Sequence, residues 1–295
     1  MTQSKPFPVD ANSKLEGGKD KPYPGYAVKH APKKRLFEFK KSIPTPLTIV
    51  LGLAVWVLFF GAWQLSSALG LVNELLFPAP TKVIAALYDL LANQGFIVDI
   101  GVSLYRILVS FLIACAIAIP LGILMGCFKA VEAFFGPFVS AWRYLPAPAL
   151  IPLLLMWLGA GEEQKLALLI LGVIWFLITL ISDHTKSVRT ELIETAVTLG
   201  GSRIQVLKTV VIPAVMPDIL VVMRQMMAVS WTYLVIAEIV AANSGIGAMM
   251  MRAKRFIHVD EIMAGILVIG VLGLLLDLLL RLAHRVIFPY LDDHS

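Results

Sequence analysis

Six stretches of this chain are apolar for long enough to cross a lipid bilayer, and no other feature limits its possible folds as severely. They run from about Pro46 to Leu69, Val102 to Cys127, Phe134 to Leu158, Lys165 to Ser182, Pro217 to Ala241 and Ile262 to Ile287. About 20 helical residues cover the hydrocarbon core. Inside lipid, every backbone N–H and C=O must find its partner within the protein, so segments of this kind are helices. Composition agrees: 58% of the 295 residues are hydrophobic and 15% are charged, against roughly 25% charged in a soluble domain. The expected fold class is an all-α integral membrane protein with six transmembrane helices.

The charge is unevenly placed. Lys5, Lys14, Lys19, Lys21, Lys29, Lys33, Lys34, Arg35, Lys40 and Lys41 all precede the first apolar stretch. Such a bias holds that end in the cytoplasm and calls for no nucleic-acid partner. Residues 1 to about 42 are polar and proline-rich and read as a mostly disordered tail. A cleaved signal peptide would put its apolar region far earlier. The stretch Lys33 to Lys41 is either solvated or laid on anionic membrane lipid. The membrane-spanning body is then residues 43–295, with both termini on the cytoplasmic side. One cluster, Arg252, Lys254 and Arg255, falls in an external loop against the usual tendency. It is either ordinary loop charge or a field that gathers an anion or an acidic partner. Cys115 and Cys127 would lie roughly 18 Å apart along one helix, too far for a disulfide.

The third span is broken by Pro137, Pro146, Pro148 and Pro152. Unwound backbone at membrane depth survives only when buried in protein or lining a wet cavity. Arg143, Tyr144, Pro146 and Pro148 are therefore candidate pathway residues. Charges inside spans are expensive and usually face a cavity or a partner. Arg106, Arg224 and Glu238 join Arg143 on that ground, with Trp231, Thr232 and Tyr233 beside them on the fifth span. Arginine suits an oxyanion because its planar fork donates paired hydrogen bonds. The competing explanation is snorkelling or a structural ion pair, with Arg224 or Arg143 pairing Glu238. Asp277 lies four residues before Arg281, the spacing of a helix pair. Gly122 and Gly126 are spaced for close helix contact, although such a pair often means nothing in a run rich in small residues.

Between the fourth and fifth spans lies a polar insert, about residues 186–213. Its first part, Val188 to Leu199, favours an amphipathic helix. Gly200-Gly201 can turn the chain sharply. Ser202 can cap a second helix, Arg203 to Val211, which Pro213 then interrupts. Two short amphipathic helices with a hinge form a docking surface, not a span.

This insert resembles the cytoplasmic loop of permease subunits in binding-protein-dependent ABC importers. Their pattern is Glu-Ala-Ala, three residues, Gly, nine residues, Ile, one residue, Leu-Pro. Here it reads Glu194-Thr195-Ala196, Gly200, Val210, Ile212 and Pro213, with Gly201 beside the first glycine. The departures, Thr195, Val210 and Ile212, are mild. The resemblance covers about residues 45 to 290. It sharpens toward the nitrate, taurine, sulfonate and bicarbonate branch through LFPAP at 76–80, SLYRILVSF at 103–111, IPLGILMG at 119–126, LPAPALIPLLLMWLGAGE at 145–162 and WTYLVIAEIVAANSGIGAMM at 231–250. It implies the six-helix type I importer fold and a permease homodimer. ATP-binding cassette subunits would dock at the 194–213 loop, and a solute-binding protein would feed the other side. The chain has no GxxxxGK[ST] phosphate loop, so ATP would be bound by the partner and no cofactor by this chain.

Two other classes fare worse. A membrane-embedded enzyme needs a cluster such as Ser/His at depth, and His30, His184, His258, His284 and His294 all fall in the tail, loops or ends. A self-sufficient secondary transporter usually shows more spans and an internal repeat. For cargo, nitrate, taurine, other sulfonates, bicarbonate and a neutral heterocycle such as a thiamin precursor are all compatible with the residues.

Overall fold

The first apolar stretch forms helix α1 (Thr45–Ala68) in the computed structural model, which describes residues 44–241 and 243–290. The basic tail lies outside the described residues. The chain divides into two units, residues 1–55, of which only the start of α1 is described, and the body from Trp56 onward. None of the spanning window of α1 is buried against protein. A helix that is apolar all round and uncovered is one that lipid accommodates and water does not.

In the body, the chain leaves α1 through a loop fastened by a 3.0 Å hydrogen bond from Trp63 Nε1 to the Pro78 carbonyl. Helix α2 (Pro80–Ala92) follows. Pro80 opens it, with the fixed φ and missing N–H that a first helical residue can use. The core comprises α3 (Phe96–Cys127), α6 (Glu162–Lys186) and α9 (Ile212–Ala241), with α11 (Val259–Ile287) packed on α9. Between α3 and α6 lie α4 (Lys129–Arg143), a 3-10 turn (Ala147–Leu150) and α5 (Ile151–Leu158).

The number of crossings follows from which ends meet. Arg106, early in α3, bonds Glu162 at the start of α6. Late in α3, a Cβ on Gly122 would reach within 2.8 Å of Ile181, and one on Gly126 would collide with Thr185, both near the end of α6. Helices α3 and α6 therefore run parallel, and the chain must recross the bilayer between them. Only α4 and α5 can make that return, bent by 86° at the proline-rich break. They form one broken crossing, so the five continuous spans and this pair give six. Helix α9 then runs antiparallel to α6, with Tyr233 against Gly172 and Asp218 3.5 Å from His184. Helix α11 runs antiparallel to α9. The Gly122/Gly126 pair is a real contact, letting α3 and α6 approach closely.

The insert forms α7 (Thr190–Thr198) and α8 (Arg203–Val206). Contrary to the sequence reading, Pro213 does not interrupt the second helix. A π-helical turn (Leu207–Val211) joins α8 to α9, and the Ile212 N–H reaches back to the Leu207 carbonyl. The wider turn shifts the hydrogen-bond register just where Pro213 has no N–H to give. One helix was not foreseen: α10 (Ile246–Arg255), whose basic end had read as a loop.

Candidate functional site

The surface helix α7 contains no buried residue. Its C-terminus is closed by the two glycines. Gly201 N–H bonds the Ala196 carbonyl at 3.0 Å and Gly200 N–H bonds the Val197 carbonyl at 2.9 Å, a Schellman cap. Gly200 has φ +87°, and a Cβ on Gly201 would lie 2.8 Å from the Ala196 carbonyl oxygen. The spacing from Glu194-Thr195-Ala196 to Gly200 is thus the spacing of a helix end. Thr195 Oγ donates to the Glu191 carbonyl at 2.7 Å, and the Glu194 carboxylate has no partner among the described residues. Ser202 caps α8 through a reciprocal box with Gln205. Leu192, Val197 and Leu199 are exposed, so the apolar side of α7 is largely uncovered. Pro213 is exposed and Ile212 half-buried at the start of α9.

At the opposite end of the bundle, Arg106 is fully buried and donates five hydrogen bonds. Its Nε and Nη2 grip Glu162 at 2.6 Å each, Nη1 bonds Glu238 at 2.8 Å, and the Ser244 carbonyl and hydroxyl take the rest at 2.7 and 3.3 Å. Glu238 also accepts from Ser103 Oγ at 2.7 Å and from the Gly247 N–H at 2.8 Å. Asp99 accepts from the Gly245 N–H at 2.6 Å and pairs with Arg252 at 2.5 Å. This knot ties α3, α6, α9 and the start of α10 together. Every donor of Arg106 is taken, which marks it as structural. Glu238 therefore pairs with Arg106, not with Arg224 or Arg143, and is 1% exposed. The sequence reading missed Asp99, Ser103 and Glu162 as partners. The spacing of Asp99, Ser103 and Arg106, one face of one helix, was the available signal.

Arg224 stands elsewhere. Its Nε lies 2.5 Å from Asp277 of α11 in an ion pair, and the other oxygen of Asp277 accepts from Arg281 at 2.9 Å. Arg224, Met227, Trp231, Ile269, Gly273 and Asp277 help line a cavity of about 380 Å³ between α9 and α11. Trp231 is buried and its Nε1 has no hydrogen-bond partner. Thr232 is exposed on the neighbouring face of α9. Arg143 and Tyr144 end α4 at the break, the guanidinium 5.5 Å from the ring centre. Tyr144 and Pro146 are exposed and Pro148 is half-buried. Arg143 and Arg224 are thus not brought together into one site with Glu238.

Six crossings, buried charge within the spans and an exposed amphipathic helix outside them fit a membrane transport subunit. The chain belongs to the binding-protein-dependent transport system inner membrane components, whose family model matches residues 118–292. It is 32% identical over 252 residues to the taurine transport system permease protein TauC of Escherichia coli K12, covering 84% of this chain and 92% of that one. It is 27% identical over 269 residues to the putative aliphatic sulfonates transport permease protein SsuC of Bacillus subtilis, covering 91% and 94%. An inward-facing structure of the MetNI methionine ABC transporter shares the fold, with a TM-score of 0.55 at 18% identity over 66% of this chain and 95% of that one. As a permease of this family it is embedded in a membrane and works with a separate ATPase and a solute-binding protein.

Proposed function

We propose that this permease imports a small oxyanion of the sulfonate or taurine class, driven by ATPase subunits that seat on α7. The observation that carries the coupling half is α7 itself: a capped helix with no buried residue and an uncovered apolar side. Glu194, Thr195 and Ala196 would lie in a groove of the ATPase, with Gly200 and Gly201 setting the angle and Ile212-Pro213 passing the motion to α9. ATP is bound by that partner, and this chain needs no cofactor. The cargo half is supported by the named roles of the taurine and aliphatic sulfonate relatives and by arginine at membrane depth. Two copies of the permease form the pathway, embedded in lipid of the inner membrane with both termini and α7 cytoplasmic. The proline-broken third crossing, with Arg143, Tyr144, Pro146 and Pro148, lines that pathway.

The test is uptake into proteoliposomes that hold the permease, its ATPase and its binding protein. ATP-dependent accumulation of taurine or methanesulfonate is the expected result. Accumulation of a neutral heterocycle with no uptake of either sulfonate would sink the anion reading.

A further inference from the structure

We propose that the cavity between α9 and α11 is an anion-binding station at mid-membrane, where Arg224 and the indole N–H of Trp231 hold the oxygens of one monovalent oxyanion. The proposal rests on the reading of this chain as a carrier of small anions. Arg224 and Trp231 lie in the middle third of α9, and Gly273 and Asp277 in the middle third of α11. An ionisable group at that depth is costly and is retained where it meets a partner or a passing solute.

What distinguishes Arg224 is the donors it has left. Arg106 gives all five to protein acceptors. Arg224 makes only an ion pair, with Nε 2.5 Å from Asp277, and its two Nη groups hydrogen-bond no acceptor among the described residues. Its side chain keeps 34% of its surface exposed. Trp231 supplies a second, independent sign. It is 6% exposed, yet its Nε1 is buried without an acceptor. A buried indole N–H normally finds a partner. A Cβ on Gly273 would lie 3.7 Å from that nitrogen, so the donor is packed against α11 beside the cavity and is covered in this state.

Charge sets the class of occupant. Arg224 and Arg281 flank the single carboxylate of Asp277. Two cations and one anion leave one positive charge, which one monovalent anion would neutralise. The ion pair with Asp277 need not break for that anion to enter, because the Nη groups have no hydrogen-bond acceptor among the described residues. The rest of the wall is apolar, including Met227, Ile269 and Leu274. A volume of about 380 Å³ accommodates a small head group with a short alkyl tail.

The experiment uses the permease–ATPase complex in lipid nanodiscs without the binding protein, and ³⁵S-labelled methanesulfonate as probe. Dimethyl sulfone, similar in shape but uncharged, is the competitor. We expect saturable binding that dimethyl sulfone does not displace. Trp231→Phe removes the indole donor and should weaken binding about tenfold or more, as for a hydrogen bond to a charged group. Arg224→Lys keeps the charge and the Asp277 pair but loses the fork, and should weaken it by about the same. Trp231→Phe carries the test alone if Arg224→Lys fails to assemble. Wild-type affinity in Trp231→Phe, or displacement by dimethyl sulfone, overturns the proposal. So does absence of binding to a complex that still imports methanesulfonate, which leaves the cargo reading standing. A complex that neither binds nor imports it overturns both.

Discussion

At the scale of single residues, Arg106 and Arg224 show that a charge within a span carries different meanings according to its unused donors. Removing Arg106 would leave Glu238, 1% exposed, as a buried carboxylate short of its counter-charge. Breaking one side of a buried pair costs roughly 3–5 kcal/mol. Arg106→Gln should therefore lower the unfolding midpoint of the purified permease sharply in a detergent titration. Arg224→Gln leaves Asp277 paired with Arg281 and should lower the midpoint less than Arg106→Gln in the same titration. Equal effects would contradict the division into structural and available arginine. Gly245 belongs to the same knot. It has φ +108°, and a Cβ there would run into the Glu238 carboxylate and the Arg106 guanidinium. Gly245→Ala should thus destabilise as Arg106→Gln does, although it removes no charge. The sequence marked Arg106, Arg224 and Glu238 as singular, because charge in an apolar run is plain to see. Who pairs with whom was hidden, because Glu238 lies 132 residues from Arg106 in the chain and hydropathy carries no information about such partners.

At the scale of elements, apolar length made the spans legible with their ends off by up to six residues, and the glycine pair made the end of α7 legible. The failures share one cause: local signals were overridden by neighbours. Helix α10 carries Arg252, Lys254 and Arg255 in its last turn, which read as a loop. Basic residues suit a helix C-terminus, where they meet the partial negative charge of the carbonyls. Pro213 read as a stop, but the π turn ahead of it absorbs the missing bond. The cap of α7 yields a sharper prediction. Gly200 has open space around its Cβ position, so a substitution there costs only its φ of +87°. A β-branched residue pays roughly 1–2 kcal/mol in that region. Gly200→Val should leave the spans folded, shown by an unchanged unfolding midpoint within that margin, while the ATPase no longer co-purifies. Full retention of the ATPase would remove the capped angle of α7 from the coupling. Between α3 and α6 the opposite holds, since Gly126→Leu would drive a side chain into Thr185 and should separate two spans, lowering stability by about 1–3 kcal/mol.

At the scale of the whole molecule, parity links the pieces. Helices α3 and α6 are parallel, so the broken pair α4 and α5 is a full crossing, and α7 lies at the bundle end opposite α10. The charges of those two ends can then be compared. The α7 end carries Lys129, Lys186, Arg189, Arg203 and Lys208. Of the three basic residues in α10, Arg252 is held by Asp99 and the Asn243 carbonyl, which leaves Lys254 and Arg255 exposed and unpaired among the described residues. With Arg281 and Arg285 added to the α7 end and Lys82 and Lys165 to the α10 end, seven basic residues stand against five, which supports the proposed cytoplasmic placement of α7. Cysteine labelling tests this directly. Cys115 is buried and Cys127 half-buried, so wild-type protein gives a low background. In intact cells a membrane-impermeant maleimide should label Lys254→Cys and not Glu191→Cys, with Glu191→Cys reacting only after the membrane is opened. The reverse pattern would turn the molecule over and put α7 out of reach of any cytoplasmic ATPase. Labelling of both sites in intact cells would mean an even number of crossings between them. The broken third crossing, which precedes both sites, would be untouched by that result, and the continuity of α9 would be the element in error.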